Sequence, residues 1–308
     1  MSWWEALLLG IIQGLTEFFP VSSSGHLVIG QAVLGLDVPG IIFDVAVHVA
    51  TLISVLVVYR EKIWSLIGGM FRSGDESSWR YILKVAAATV PAVIVGFTLQ
   101  DWFEARFDDP IFAATMILVT GAVVWSSRWA LGTHRVGPLE GLPLIVAAAF
   151  SIYAGTVVPF AGVLLLQATL LTIARVTAPP EVKLTEPTWS GAVIMGIAQA
   201  LAIFPGITRS GSTVVAGLWR RIDPVAAAEF SFLMSIPAIL GAAVLQVPDA
   251  MGAGLFVSPT ALVAGFVAAA LSGVVAIRFF VAMLRRQNFY AFAYYCWAVA
   301  GLFLVFYR

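Results

Sequence analysis

Sixteen residues near the start of the chain, GIIQGLTEFFPVSSSG (10–25), return as GIAQALAIFPGITRSG at 196–211. Gly10, Gln13 and Leu15 stand 186 positions before Gly196, Gln199 and Leu201, and the Phe-Pro and Ser-Gly pairs recur within one residue of that spacing. Each copy is two short apolar pieces joined by a polar elbow of Pro, Ser or Thr, and Gly. Neither piece reaches the ~20 residues that span a bilayer. Irregular backbone at membrane depth is tolerated only where protein or a wet cavity covers it, so each copy reads as a re-entrant helical elbow. Three long apolar stretches follow each one: 41–59, 85–99 and 111–127 after the first, and 226–245, 261–280 and 289–306 after the second. Three is odd, so the copies are expected upside-down relative to each other, as inverted-topology repeats. Between them, 142–158 and 160–173 read as a tight helical hairpin turning near Pro159. Its two crossings leave the inversion intact. The expectation is an all-α polytopic membrane protein of eight spans and two re-entrant elbows. It forms one integral membrane domain over 1–308, with repeat one at 1–135, the inserted hairpin at 136–178 and repeat two at 179–308.

Composition supports the bilayer as solvent. Only 11% of the 308 residues are charged, against about 25% in soluble domains. The net charge of +0 gives nucleic acid nothing to bind. One cysteine, Cys296, excludes an intrachain disulfide and a cysteine-clustered metal site. The first residues, MSWWEALLLGIIQG, run into the first motif without the basic region and cleavage site of a signal peptide. Basic residues then set the orientation. Arg60, Lys62, Arg72, Arg80 and Lys84 lie between the first two spans, and Arg220, Arg221, Arg285 and Arg286 fall in later loops on the same side. The loop at 100–110 is acidic and that at 246–259 has no Lys or Arg. By the positive-inside rule the basic loops are cytoplasmic. The first elbow then enters from outside and the second from inside.

The elbows carry the chemistry. Gln13 and Glu17 share one helix face, one turn apart. A carboxylate within a membrane segment costs about 2.5–3.5 kcal/mol on insertion scales and is a functional candidate by default; the structural reading is an acid bonded to Thr16 or Ser22. Gln13 either positions Glu17 or a metal-bound water, or satisfies backbone. After Pro20, the Ser22-Ser23-Ser24-Gly25 run can cap a second helix with His26 in its first turn. Such a helix start favours phosphate. A serine here is a turn residue or a nucleophile, with Glu17 or His26 as its base; a helical turn is expected to bring His26 onto Ser23. In the second elbow, Arg209 offers a planar fork to a phosphate, or else snorkels to the interface. Thr208, Ser210 and Ser212 add donors, and Gly206 and Gly211 let backbone approach a ligand. Asp44 and His48, four apart, line the cavity, help hold a cation, or pair with each other. Glu229 lies one turn into a helix that starts with Asp223-Pro224, where the dipole favours an acid and a structural role is expected. No metal-ligand sequence pattern is present, but a hard divalent cation held by Glu17 and substrate phosphates needs no protein cage.

The pattern Gln/Glu-Gly-Leu-Thr-Glu-Phe-x-Pro-Val-Ser-Ser-x-Gly-His at 13–26, with Pro-Gly-x-Ser/Thr-Arg-Ser-Gly at 205–211, resembles the undecaprenyl-diphosphate phosphatase family of the bacitracin-resistance type. The resemblance covers nearly the whole chain except the 142–173 hairpin. It implies removal of the terminal phosphate from a polyprenyl diphosphate lipid at the outer face of the cytoplasmic membrane, recycling the carrier for cell-envelope glycans. It also implies dependence on a divalent cation, Mg2+ or Ca2+, at Glu17 with Gln13. The family's acidic pair falls on Gln13 and Glu17, with Gln at the first position here. Its serine cluster falls on Ser22, Ser23 and Ser24, its histidine on His26, and its second motif on Thr208, Arg209 and Ser210. The expected catalytic set is therefore Glu17, Ser23, His26 and Arg209. Ser22, Ser24, Gly25, Thr208, Ser210 and Gly211 bind phosphate, and Gln13, Asp44 and His48 support. Besides its lipid substrate, the chain is expected to meet membrane lipids, no nucleic acid and, at most, further copies of itself. The rival reading is a polyprenyl-phosphate carrier on the same architecture.

Overall fold

A computed structural model describes residues 1–36, 41–72, 75–107, 109–132, 149, 152, 155–177, 184–252 and 257–307. Among these the fold is all-helical, with one isolated β-bridge between Leu184 and Ile222. The helices are α1 (Trp3–Phe18), α2 (Ser23–Leu34), α3 (Ile41–Val58), α4 (Arg60–Met70), α5 (Glu76–Thr98), α6 (Gln100–Phe107) and α7 (Pro110–Ala130). They continue as α8 (Val157–Val176), α9 (Trp189–Leu201), α10 (Arg209–Trp219), α11 (Pro224–Gly252), α12 (Pro259–Arg285) and, after a 3-10 turn, α13 (Phe292–Phe306). Six described helices are long and apolar enough to cross a membrane: α5, α7, α8, α11, α12 and the last. The pair α3 and α4, bent by 74° at Tyr59, makes a seventh if taken as one span. The chain is therefore a multi-pass membrane protein.

The first arm of the inserted hairpin lies almost wholly outside the described residues, and a turn at Gly155 (φ 72°) precedes the second. Pro159 sits in the first turn of α8, which begins at Val157. The ring removes a backbone donor that has no helical partner at that position anyway.

Sequence punctuation explains the elbows. Ser2 and Glu5 form a reciprocal capping box that starts α1. Phe19 leaves the helix in an extended conformation (φ −68°, ψ 146°), because the residue before a proline is disfavoured in the helical region. Ser22 then caps α2 through a hydrogen bond from the Gly25 N–H at 3.3 Å. In the second elbow Thr208 caps α10 in the same way, accepting from the Gly211 N–H at 3.2 Å.

Small residues set the packing. α1 lies along α12, and a Cβ added at Gly10 would strike the Gly265 carbonyl oxygen. One added at Gly14 would strike Ser272 and the Ala269 carbonyl. Gly10 and Gly14 are four apart, as are Gly265, Ala269 and Gly273, so two small-residue stripes meet backbone to backbone. α9 lies on α5 in a similar manner, with Gly196 against the Ala88 carbonyl. Central to the bundle is α7, buried along most of its length and touching α2, α8, α10 and α13.

Candidate functional site

Two helix breaks meet against α7. Gly25 at the start of α2 faces Gly206: a Cβ there would lie 3.0 Å from the Gly206 Cα and 2.8 Å from Ile117 Cδ1. Gly206 itself is left-handed (φ 98°), backed by the Ala113 carbonyl of α7. A side chain at either position would wedge the elbows apart. Polar contacts complete the join. The Gly206 N–H donates to Ser24 Oγ at 3.4 Å, and Ser210 Oγ donates to the Phe19 carbonyl at 3.1 Å. Thr120 of α7 donates to the Gly206 carbonyl at 2.8 Å and accepts from the Thr208 N–H at 3.0 Å.

Glu17 lies at the centre of this junction, buried. Arg209 Nη2 donates to its Oε1 in a close ion pair. Its Oε2 accepts from Ser23 Oγ at 2.6 Å and from Gln13 Nε2 at 3.0 Å, and His48 Nε2 lies 3.9 Å away. So one carboxylate gathers a hydroxyl, an amide, an imidazole and a guanidinium. Arg209 Nη1 and Gln13 Oε1 are buried without a hydrogen-bond partner. Each is a group whose burial costs free energy unless something completes it.

Beside this cluster, Ser22 is buried at φ 74°, a conformation rare for a residue with a Cβ. Its backbone carbonyl lies 2.7 Å from His26 Nδ1, so Nδ1 must donate and the neutral ring leaves Nε2 as acceptor. Tyr295 of α13 supplies the hydroxyl to Nε2 at 3.1 Å.

Of the residues singled out from sequence, Gln13, Glu17, Ser23, His48 and Arg209 are joined around one carboxylate. Ser22, Ser24, Gly25, Thr208, Ser210 and Gly211 form the elbow contacts beside it. His26 does not pair with Ser23. Its ring turns back onto the carbonyl of its own N-cap and outward to Tyr295, while Ser23 turns to Glu17. Asp44 accepts from Gln31 at 3.5 Å, and its backbone carbonyl takes the other nitrogen of His48. Glu229 pairs with Lys62 at 3.0 Å. Sequence reasoning missed Thr120 and Tyr295. A threonine inside an apolar span and a tyrosine near the start of one carry no signal that separates them from ordinary packing or interfacial residues.

No group of three His, Cys, Asp or Glu lies together among the described residues. Gln13 Oε1, buried and unpartnered, stands one helical turn from the Glu17 carboxylate. That pair fits an ion that takes one or two protein oxygens and completes its shell from substrate phosphates and water.

Fold and cluster together define an all-helical, multi-pass membrane protein with a buried acid–hydroxyl–guanidinium site where two helix breaks meet. A model of the bacitracin resistance protein BacA matches residues 6–302, and the chain belongs to that family. It is 34% identical over 321 residues to an undecaprenyl-diphosphatase of Desulfatibacillum aliphaticivorans, covering 99% of both chains. Proteins of the same name from Salinibacter ruber and Syntrophotalea carbinolica are 33% and 35% identical, each over 98% of both chains.

Proposed function

We propose that the Glu17 cluster catalyses the phosphatase reaction of an undecaprenyl-diphosphatase, converting undecaprenyl diphosphate to the monophosphate and so returning the lipid carrier to cell-envelope glycan synthesis. The activity follows from family membership and from relatives that carry this name over the full chain. The observation that carries the residue assignment is the 2.6 Å hydrogen bond from Ser23 Oγ to Glu17 Oε2, with Arg209 on the other carboxylate oxygen.

In this reading Ser23 attacks the terminal phosphorus as its proton passes to Glu17. The Oγ–P bond forms, the bridging P–O bond breaks, and undecaprenyl monophosphate departs. Water then hydrolyses the phosphoserine and inorganic phosphate leaves. Arg209 Nη1, unpartnered while Nη2 is held by Glu17, donates to a phosphate oxygen and neutralises charge where it develops. The helix starts at Ser22 and Thr208 direct N–H groups and dipoles toward the anion, with Ser24, Gly25, Ser210 and Gly211 shaping the elbows around it. His26, its Nε2 held by Tyr295, assists proton movement at the leaving side. A bound Mg2+ or Ca2+ would be held by Glu17 and Gln13 Oε1 and would supply further charge neutralisation at the phosphates. Direct attack by water, with the same residues in place, is the alternative chemistry.

The same reading takes the two helix breaks as re-entrant elbows of an inverted repeat, with the site opening to the outside of the cytoplasmic membrane. The recurring 186-residue spacing and the matched Gly10–Gly265 and Gly196–Ala88 contacts support it. The carrier reading is not favoured, since the relatives are named for hydrolysis. The test is phosphate release from undecaprenyl diphosphate by purified protein in detergent, where no gradient exists. Wild type should release phosphate, less so with chelator, while Glu17→Ala and Arg209→Ala should release almost none. Equal release by all three would remove these residues from the mechanism. A labelled phosphoserine trapped on Ser23, or its absence under rapid quench, separates the two chemistries.

A further inference from the structure

Several threonines in these helices bond back to their own helix. Thr16 donates to the Ile12 carbonyl at 2.6 Å, Thr89 to Val85 at 2.9 Å and Thr115 to Ile111 at 2.8 Å, each four residues back. This back-bonding is the ordinary fate of a hydroxyl inside a helix. Thr120, wholly buried on α7, behaves differently. Its hydroxyl donates to the Gly206 carbonyl at 2.8 Å and accepts from the Thr208 N–H at 3.0 Å. One side chain of α7 thus bridges the two ends of the Gly206-Ile207-Thr208 turn in the second elbow.

Buried backbone groups need partners, and this turn draws its partners from three directions. The Gly206 N–H donates to Ser24 Oγ of the first elbow at 3.4 Å, and the Ile207 N–H to the Phe204 carbonyl at 2.9 Å. The Thr208 carbonyl accepts from the Ser212 N–H at 3.1 Å, inside α10. The Gly206 carbonyl and the Thr208 N–H take theirs from α7, through Thr120 alone. Arg209 is the next residue and the first of α10. Its Nη2 is held by Glu17, while its Nη1 is buried and unpartnered. A guanidinium sits at the end of a long side chain, so any tilt of the helix start is amplified at Nη1. The seat of the turn on α7 therefore decides where that donor points.

We propose that Thr120 is a positioning residue for the phosphatase reaction: by pinning Gly206 and Thr208 to α7, it aims the Arg209 Nη1 donor at the phosphate. The proposal rests on the phosphatase reading and adds to it a residue that lies outside both elbows. Thr120 touches no substrate and acts through Arg209. Removing its hydroxyl should therefore matter only while Arg209 carries its planar fork, which separates this role from general packing of α7.

Thr120→Val keeps the shape and removes both bonds, and Thr120→Ser keeps the hydroxyl. Thr115→Val is the control. Thr115 is equally buried on α7 and also bonds across to another segment, at Thr156 (2.9 Å), but not to the elbow. Full-length protein is assayed in detergent below the unfolding midpoint of every variant. The kcat for undecaprenyl diphosphate should fall about tenfold in Thr120→Val and stay within about twofold of wild type in Thr120→Ser and Thr115→Val. The deciding measurement is a double-mutant cycle with Arg209→Lys, on which background Thr120→Val should lower kcat by less than about twofold. The same proportional loss on both backgrounds, an equal loss in Thr115→Val, or a Thr120→Ser variant as slow as Thr120→Val would overturn the proposal. The cycle is repeated on binding of undecaprenyl monophosphate, followed by tryptophan fluorescence, which needs no turnover. There Kd should rise several-fold in Thr120→Val, and the double variant should bind no more weakly than Arg209→Lys alone. A wild type that shows this coupling but releases no phosphate sinks the phosphatase reading alone. Turnover with additive effects in both cycles sinks the positioning role alone.

Discussion

The rings of His26 and Tyr295, 269 positions apart in sequence, lie within 7° of parallel, and the tyrosine hydroxyl sits 3.1 Å from His26 Nε2. The Ser22 carbonyl can only accept from Nδ1, which fixes the neutral imidazole's tautomer and makes the hydroxyl the donor to Nε2. Tyr295→Phe removes the donor and keeps the stacked ring. Phosphate release should fall about three- to tenfold in kcat, equivalent to the ~1 kcal/mol of one hydrogen bond, with KM nearly unchanged. The pH–rate profile should shift as well, because the hydroxyl no longer occupies Nε2. An unchanged profile would leave Tyr295 as packing alone.

Glu17 and Arg209 neutralise each other in a buried setting, so single and double replacements should separate stability from chemistry. Glu17→Gln strands a guanidinium and should destabilise by about 3–5 kcal/mol. Glu17→Gln with Arg209→Gln should regain most of that loss. Neither should recover phosphate release. Thermal unfolding in detergent, read beside the activity assay, checks both halves of this expectation.

Arg209→Lys keeps the charge and loses the fork. An ammonium can reach Glu17 or a phosphate oxygen but cannot present two parallel donors. The kcat should drop ~100-fold, in the range seen when one preorganised donor to a developing charge is removed. Retention of near wild-type kcat would mean that Arg209 serves only as a counter-charge for Glu17.

Glycine replacements should sort by what a Cβ meets. Gly10→Ala drives a methyl into the Gly265 carbonyl and should cost about 1–3 kcal/mol. Gly68→Ala, in α4 with open space around it, should instead stabilise by ~0.5–1 kcal/mol through helix propensity. Denaturation midpoints of the two variants, measured side by side, test whether the α1–α12 contact is as close as it stands here.

Gln13→Glu places a second carboxylate one helical turn from Glu17. If these positions hold the divalent cation, half-saturation should move to several-fold lower cation concentration through added ligand charge. Titration of chelated protein, followed by turnover and by thermal shift, gives the answer. Unaltered half-saturation would place the ion elsewhere.

How much of this was legible in the sequence depends on the kind of signal. The helix breaks were, because Pro20, Pro205, Ser22 and Thr208 act through local rules: a lost donor, a restricted preceding residue, a capping oxygen. The membrane class followed from the scarcity of charge. Side-chain partners were harder. Three-residue spacing put His26 beside Ser23, but the ring had a nearer carbonyl at Ser22 and a hydroxyl on the last helix. Asp44 and His48 share one face, and His48 approaches Glu17 while the Asp44 carboxylate accepts from Gln31. Tyr295 and Thr120 reach the site through tertiary packing alone, which no local pattern encodes. Near Pro159 the turn itself falls at Gly155, where a positive φ suits glycine, and the proline opens the helix that follows.

The ion pair between Glu17 and Arg209 spans 192 positions of chain, and this has a consequence for biogenesis. Glu17 leaves the ribosome long before its counter-charge exists, so the nascent first half must enter the bilayer with an acid that is either protonated or still wet. Only when the second elbow arrives can the acid be sealed between two helix starts. Chains truncated before Arg209 should accordingly fail quality control in the membrane, however apolar their completed spans are.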